Sequence, residues 1–569
     1  MVRATRIALI LLVLLVIVPI MGMNAGTRII TLPVATAGQV HGPKLLVLVV
    51  FDQMRGDYLE RWSKQFGTDG FNRLTSEGAW FTNCHYPYSM TLTGCGHATL
   101  GTGCIPAQHG IVENEWYDRS TGKNAYCATL GDRFKMIPDG AKSKSGLTGG
   151  GTPGRLLEPA LGDVVKEVTN SKGKVIGVSL KDRGGVLPTG AKADICYWYD
   201  DNVGAFVTSN FYIDRLPSYM AKFNELKLAD QWFVKDWTRL RNDINYTEFS
   251  GPDDVEGEGI GIKQGRTFPH PMTGGLDQPG PKFYDAIYTS PMGNDLTWQA
   301  AKAVLDNERL GQHEQTDYLV VSYSSNDSVG HVWGPDSQEV MDVTLRSDRI
   351  MADMINYLDA HVGRENYLMV VSADHGVCPL PEVSKAKGLV AGRVEATKEV
   401  PALEHYLSSK YQTTAKWTEA ISGAGIYLNL RTIKAAGKTY QEVEQAVADW
   451  FKTRPYVLEV YTRSQLLDPS PLPGFGENVR KSFQPDRSGD VQPIMKPYHF
   501  LVSKYTTGTT HGSPHEYDTH VPLVFFGAGV VPGRRMEKVS PQLASVGLAH
   551  TLGQKMNNST VEVPEGLFK

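Results

Sequence analysis

Five stretches of this chain are almost wholly apolar and then stop abruptly at polar or acidic residues: "KLLVLVVFD" (44–52), "GKVIGVSLKD" (173–182), "DYLVVSYSSND" (317–327), "NYLMVVSADHG" (366–376) and "THVPLVFFGAG" (519–529). A strand with one wet face alternates apolar and polar residues, whereas a continuous run needs cover on both faces, as in a parallel sheet under helices. Helical patterns lie between several of the runs. One is "DLTWQAAKAVLDNERL" (295–310); a longer one spans 337–360, with Ile350, Met351, Met354, Ile355 and Leu358 recurring on one face. The alternation predicts an α/β fold with a mostly parallel central sheet flanked by helices. Two regions break the rhythm, about 197–290 and about 380–500, and read as insertions near the site.

In open α/β sheets, ligands bind beyond the carboxyl ends of the strands. Those ends deliver Asp52, then Asp327 followed by His331, then the pair Asp374 and His375; His511 arrives in "TTGTTHGSPHEYDTH", just before the final strand. Taken singly, Asp327 with His331 also reads as a helix cap beside a surface histidine, and Asp374-His375 as a turn. Three aspartates and three histidines at one sheet edge match the ligand set of a two-metal site, with oxygen and imidazole donors suited to Zn²⁺ or a similar divalent ion. Two ions about 4 Å apart clamp the attacking and leaving oxygens of an in-line displacement at phosphorus.

The stretch "YSMTLTGCGHATLGTG" (88–103) offers Ser89, Thr91, Thr93 and Cys95 as nucleophiles and no neighbouring base. A metal answers that need, because a coordinated hydroxyl loses its proton without one. Cys95 has no cation nearby in sequence to lower its pKa. Ser89 and Thr91 precede the glycine turn and read as local hydrogen-bonding residues; His97, His109 and His520 read as structural.

These residues resemble the alkaline phosphatase superfamily, in the branch of bacterial PafA-type phosphate monoesterases with a threonine nucleophile, related to nucleotide pyrophosphatase/phosphodiesterases. "TGCGHATLGTG", "HGIVENEWYD", "SLKDR", "NDSVGH", "SADHG" and "TTHGSPHEYDTH" carry the resemblance across most of the chain. It implies an alkaline-phosphatase-like core with Thr93 as the nucleophile of a phosphothreonine intermediate. One Zn²⁺ would be held by Asp327, His331 and His511, the other by Asp52, Asp374 and His375 with the Thr93 hydroxyl. Asn114 would donate to a phosphoryl oxygen, and Lys181 and Arg183 would contact the remaining oxygens. Cys95 departs from the family pattern, where proline is common, and His515 stands in reserve for His511.

The formal net charge of −4 leaves no basic footprint for nucleic acid. Arg3 and Arg6 precede an apolar run and small-residue cleavage candidates, so residues 1–37 read as a signal peptide and 38–569 as the catalytic domain, periplasmic or secreted, without stable membrane association after cleavage. The six cysteines fit an exported protein with up to three bridges. The activity expected is hydrolysis of small phosphate monoesters. The alternatives are a phosphodiesterase or nucleotide pyrophosphatase on the same core, which would reward an apolar pocket over extra cations, and a non-catalytic metal-binding surface protein.

Overall fold

The computed structural model describes residues 42–138, 141, 150–423, 425–502 and 506–569; the signal-peptide segment lies outside them. Ten strands form the main sheet: β1 (Leu45–Phe51), β2 (Ala79–Phe81), β3 (Met136–Ile137), β4 (Val175–Ser179), β5 (Ile195–Asp200), β6 (Ala205–Ser209), β7 (Asp317–Tyr323), β8 (Tyr367–Ser372), β9 (Leu523–Gly527) and β10 (Gly533–Arg535). Their spatial order is β10-β2-β9-β8-β1-β7-β4-β5-β6-β3. The five middle strands, β8-β1-β7-β4-β5, run parallel. All seven residues of β1 are buried, as are all seven of β7 and all six of β8. That double-sided burial is why these stretches read as continuous apolar runs.

The flanking strands turn over. β9 runs antiparallel to β8, with Leu523 opposite Ser372. The start of β9 therefore lies beside the end of β8, and the segment before it reaches the edge where β1, β7 and β8 deliver their carboxylates. Direction, not proximity in sequence, places His511 at this edge.

The helices that carry or support the site are α1 (Thr93–Thr102), α2 (Asp182–Thr189), α3 (Pro291–Glu308), α4 (Ser325–Trp333) and α5 (Gln338–His361). α5 begins at Ser337, whose side chain accepts from the Val340 amide, and buries Ile350, Met351, Met354, Ile355 and Leu358.

Of the two irregular regions, the first contributes to the sheet itself: β5 and β6 cover residues 195–209. Its remainder packs on α5 through polar anchors. Trp237 Nε1 donates to Asp342 at 2.8 Å, and Tyr246 donates to the same carboxylate at 2.7 Å. The second region builds an antiparallel sheet from Thr418–Ser422, Gly425–Leu428, Val457–Thr462 and Val491–Met495, with its own apolar cluster around Trp417, Val443 and Val447. It abuts the chain on either side of α1: before it, the Ser89 amide donates to Asn478 O at 3.1 Å, and after it, Arg487 donates to Gly110 O at 2.6 Å. The expectation of bridges is not met, because all six cysteines are buried free thiols. The interior accommodates them as small apolar side chains.

Candidate active site

α1 starts at Thr93, after Leu92 in extended conformation, and every residue of the helix is buried. It approaches β8's outlet so closely that a Cβ on Gly96 would lie 2.0 Å from the Asp374 carbonyl oxygen. Only glycine permits that contact. The Thr93 hydroxyl thereby comes to 3.3 Å from His375 Nε2.

Around it the side chains form two groups whose donor atoms lie within 4.8 Å of one another: Asp327, His331 and His511, and Asp52, Asp327 and His375. Asp327 belongs to both. Asp374 borders the second, with Oδ2 at 3.3 Å from His375 Nε2. Each of the three histidines is oriented in the same way. His331 Nδ1 donates to Thr509 O at 2.7 Å, His511 Nδ1 to Thr91 O at 2.7 Å, and His375 Nδ1 to Gly376 O at 2.9 Å. The proton is thus fixed on Nδ1, and the Nε2 lone pairs face the carboxylates: His331 Nε2 is 3.2 Å and His511 Nε2 3.6 Å from Asp327 Oδ1. That tautomer, held from behind by a carbonyl, is the one a cation requires.

The charge balance points the same way. Burial, then the neighbouring carboxylates of Asp327 and Asp374, push the Asp52 pKa well above the usual range. Burial pushes Asp327 up too, but His331 and Lys181 outweigh it and hold that carboxyl well below. Burial lowers His375 to about 3, which keeps it neutral. Asp52 Oδ1 and Asp374 Oδ2 are buried and accept no hydrogen bond. Buried, unpartnered carboxylate oxygens facing imidazole lone pairs fit divalent cations, and the mixed oxygen and nitrogen set suits Zn²⁺.

The three residues expected to meet substrate line one cavity of about 350 Å³, together with Tyr126, Trp198, Tyr199 and Tyr288. Asn114 Oδ1 accepts the Gly94 amide at 2.8 Å, which fixes the side-chain amide and leaves its NH₂ as the free end. Arg183 Nη1 donates to Tyr126 Oη at 3.2 Å, and its Nε is buried without a partner. The Lys181 ammonium is bound by Asp52 at 2.7 Å and Asp327 at 2.6 Å, between the two groups. His515 is not in either group; its Nε2 donates to Met495 O at 2.9 Å.

Sequence reasoning missed Gln53. Its backbone has φ 67°, a left-handed conformation uncommon outside glycine. From there its amide donates to Asp374 at 3.1 Å and its side chain to Asp327 at 2.7 Å. Nothing in the sequence singles out a glutamine in that role. His97, read as structural, bonds the Thr93 carbonyl at 2.9 Å and Ser322 Oγ at 2.8 Å, and its Nδ1 also lies 3.1 Å from Asp374 Oδ2.

The profile of the family "Type I phosphodiesterase / nucleotide pyrophosphatase" matches residues 46–518. The chain is 35% identical over 517 residues to alkaline phosphatase PafA of Elizabethkingia meningoseptica, covering 89% of this chain and 91% of that one. It is 34% identical over 535 residues to a Myroides odoratus protein named calcium-transporting ATPase, covering 94% of each. The crystal structure of wild-type PafA superposes with a TM-score of 0.84 at 33% identity, over 93% of this chain and 99% of that one.

Proposed function

We propose that this chain, which belongs to the type I phosphodiesterase / nucleotide pyrophosphatase family, transfers phosphoryl groups to water through Thr93. It is a metal-dependent alkaline phosphatase, a hydrolase of phosphate monoesters. The observation that carries the Thr93 reading is the buried hydroxyl at the start of α1, 3.3 Å from Nε2 of His375, a member of one of the two acid–histidine groups that share Asp327. The Nε2 lone pairs nearest it belong to those same acid–histidine groups, where a bound cation would take them and itself lower the pKa of the hydroxyl.

Thr93 Oγ attacks phosphorus; the Oγ–P bond forms, the P–O bond to the alcohol breaks, and the alcohol leaves from the opposite side. Water then cleaves the phosphothreonine, releasing phosphate and restoring the hydroxyl. Asp327, His331 and His511 on one side, and Asp52, Asp374 and His375 on the other, would hold two Zn²⁺ ions, which when bound would supply Lewis-acid charge and lower the pKa of adjacent oxygens. The start of α1 contributes backbone N–H groups and the positive end of a ten-residue helix dipole. The Asn114 NH₂ and the Arg183 guanidinium donate to phosphoryl oxygens. Lys181 joins them by exchanging its bonds to Asp52 and Asp327 for bonds to substrate. The 38–569 catalytic domain and an exported location complete the reading; the sequence signal for export lies in residues 1–37.

The rival reading is a diesterase, and the rings of Trp198, Tyr199 and Tyr288 in the cavity would suit a second organic group. The Myroides relative's name speaks of calcium transport; no helix among the described residues is long and apolar enough to cross a membrane. The deciding experiment compares an aryl monoester with an aryl diester, with metal content measured on the same samples. Thr93→Ala is expected to lower monoester turnover by about 10⁴ or more while keeping its metal. Wild-type turnover in that variant removes Thr93 as nucleophile. Combined Lys181→Ala and Arg183→Ala is expected to depress the monoester far more than the diester, and equal losses reject the substrate role of the pair.

A further inference from the structure

Beyond the active centre, a third group of donor atoms lies within 4.8 Å of one another: His85, Glu516 and His520. It shares no residue with the other two. We propose that these three side chains form a separate structural site for a divalent transition-metal ion of the Zn²⁺ type.

Two independent pieces of backbone geometry converge on His520. Glu516 opens the short helix Glu516–Thr519, and His520 follows it. The two residues are therefore four apart across one turn, the spacing at which side chains meet. His85 pairs with His520 across an antiparallel bridge, and their rings stack with centroids 4.7 Å apart. Directly opposed side chains approach closely in such a pair. Neither feature requires the other, yet together they bring a carboxylate and two imidazoles to one point.

The protonation pattern suits ligation. His520 Nε2 donates to the Thr82 carbonyl at 3.0 Å, so the proton is fixed there and Nδ1 carries the lone pair. His85 Nδ1 lies 3.2 Å from Thr519 Oγ1, which leaves Nε2 free of that contact. Lys538, nearby, opposes a cation, and the Glu516 carboxylate offsets it. Two nitrogens and one oxygen are donors of the kind such an ion takes.

The site ties together segments that serve the active centre. Gly56, four residues past Asp52, donates its amide to the His520 carbonyl at 3.0 Å, and Tyr86 donates to the Thr519 carbonyl at 3.0 Å. His511 lies earlier in the same loop. An ion here fastens that loop to the outlet of β1 without touching substrate.

The test counts zinc. Tag-free protein is equilibrated with micromolar free Zn²⁺ and the bound metal measured per chain, alongside His85→Gln and the exposed-carboxylate variant Glu516→Gln. The expected result is three equivalents in the wild type and two in each variant, with monoester turnover retained. Thermal denaturation in the same zinc buffer should show the wild type melting above both variants. Equal zinc content in wild type and Glu516→Gln overturns the site, and this holds even where His85→Gln does not fold. Loss of zinc from Thr93→Ala or loss of monoester activity in the wild type would instead count against the active-centre reading, which the third equivalent does not depend on.

Discussion

The ammonium of Lys181 lies 2.6 Å from the Asp327 carboxylate, and both groups are buried. With Asp52 and Asp374, three buried carboxylates face this single ammonium. A buried charge excess is costly unless it is neutralised. The cluster is thus built to receive further positive charge.

Removing divalent ions with a chelator is therefore expected to destabilise the fold as well as stop turnover. Ligand linkage at a thousandfold excess over Kd is worth about 4 kcal/mol. Calorimetry before and after chelation should show a lower Tm, with zinc restoring both Tm and activity. An unchanged Tm in fully stripped protein would contradict the charge argument.

A second prediction concerns the hold on Arg183. Tyr126 Oη donates to Asp182 at 2.5 Å and accepts from Arg183 Nη1 at 3.2 Å. The phenol thus couples the guanidinium to a fixed carboxylate. Hydrogen bonds to charged groups contribute about 1.5–3 kcal/mol, so Tyr126→Phe should lower kcat/KM for a monoester by about ten- to a hundredfold. The diester rate should fall less. If Tyr126→Phe leaves the monoester rate intact, Arg183 is positioned by something else.

Much of this centre was legible because its residues sit at strand ends, where an apolar run stops at Asp52 or Asp374. The parallel strands declared themselves by burial on both faces. The direction of β9 was not legible, since an antiparallel strand buried on both faces has the same composition. Strands β5 and β6 escaped notice because aromatic and polar residues in "CYWYD" and "AFVTS" obscure the pattern, although nearly all of them are buried. Gln53 and Tyr126 were invisible for another reason. Their roles come from a left-handed backbone and from a partner 56 residues away, respectively, and neither leaves a local mark. His520 read as structural, and only the bridge to His85 reveals a second use.

The approach of α1 to Asp374 yields a steric prediction. With 2.0 Å between a Cβ at position 96 and the Asp374 carbonyl oxygen, either the helix or the strand outlet must shift in Gly96→Ala. Overpacking typically costs about 1–3 kcal/mol. Misplacing the nucleophile by about 1 Å can cost about a hundredfold in rate. The variant should therefore lose activity out of proportion to stability, measured as turnover against denaturant midpoint. Losing stability while keeping full turnover would show that Gly96 does not set the position of Thr93.

Acid sensitivity follows from His109, which is fully buried away from the active centre. The Ile111 amide donates to its Nδ1 at 3.1 Å, so the proton resides on Nε2, which bonds Thr99 Oγ1 at 3.1 Å. Burial, with Arg487 nearby, lowers the folded pKa to about 3 from 6.5. Between those values the unfolded chain binds a proton that the folded chain does not. Stability therefore rises with pH through this window and is level above it; on acidification it falls by about 1.4 kcal/mol per pH unit for such a group. Urea midpoints at pH 7, 6, 5 and 4 should drop progressively below pH 6.5 in the wild type. His109→Gln, which keeps an amide of similar reach, should start less stable at pH 7 and show a shallower slope. Parallel slopes in the two proteins would assign the acid sensitivity to other groups.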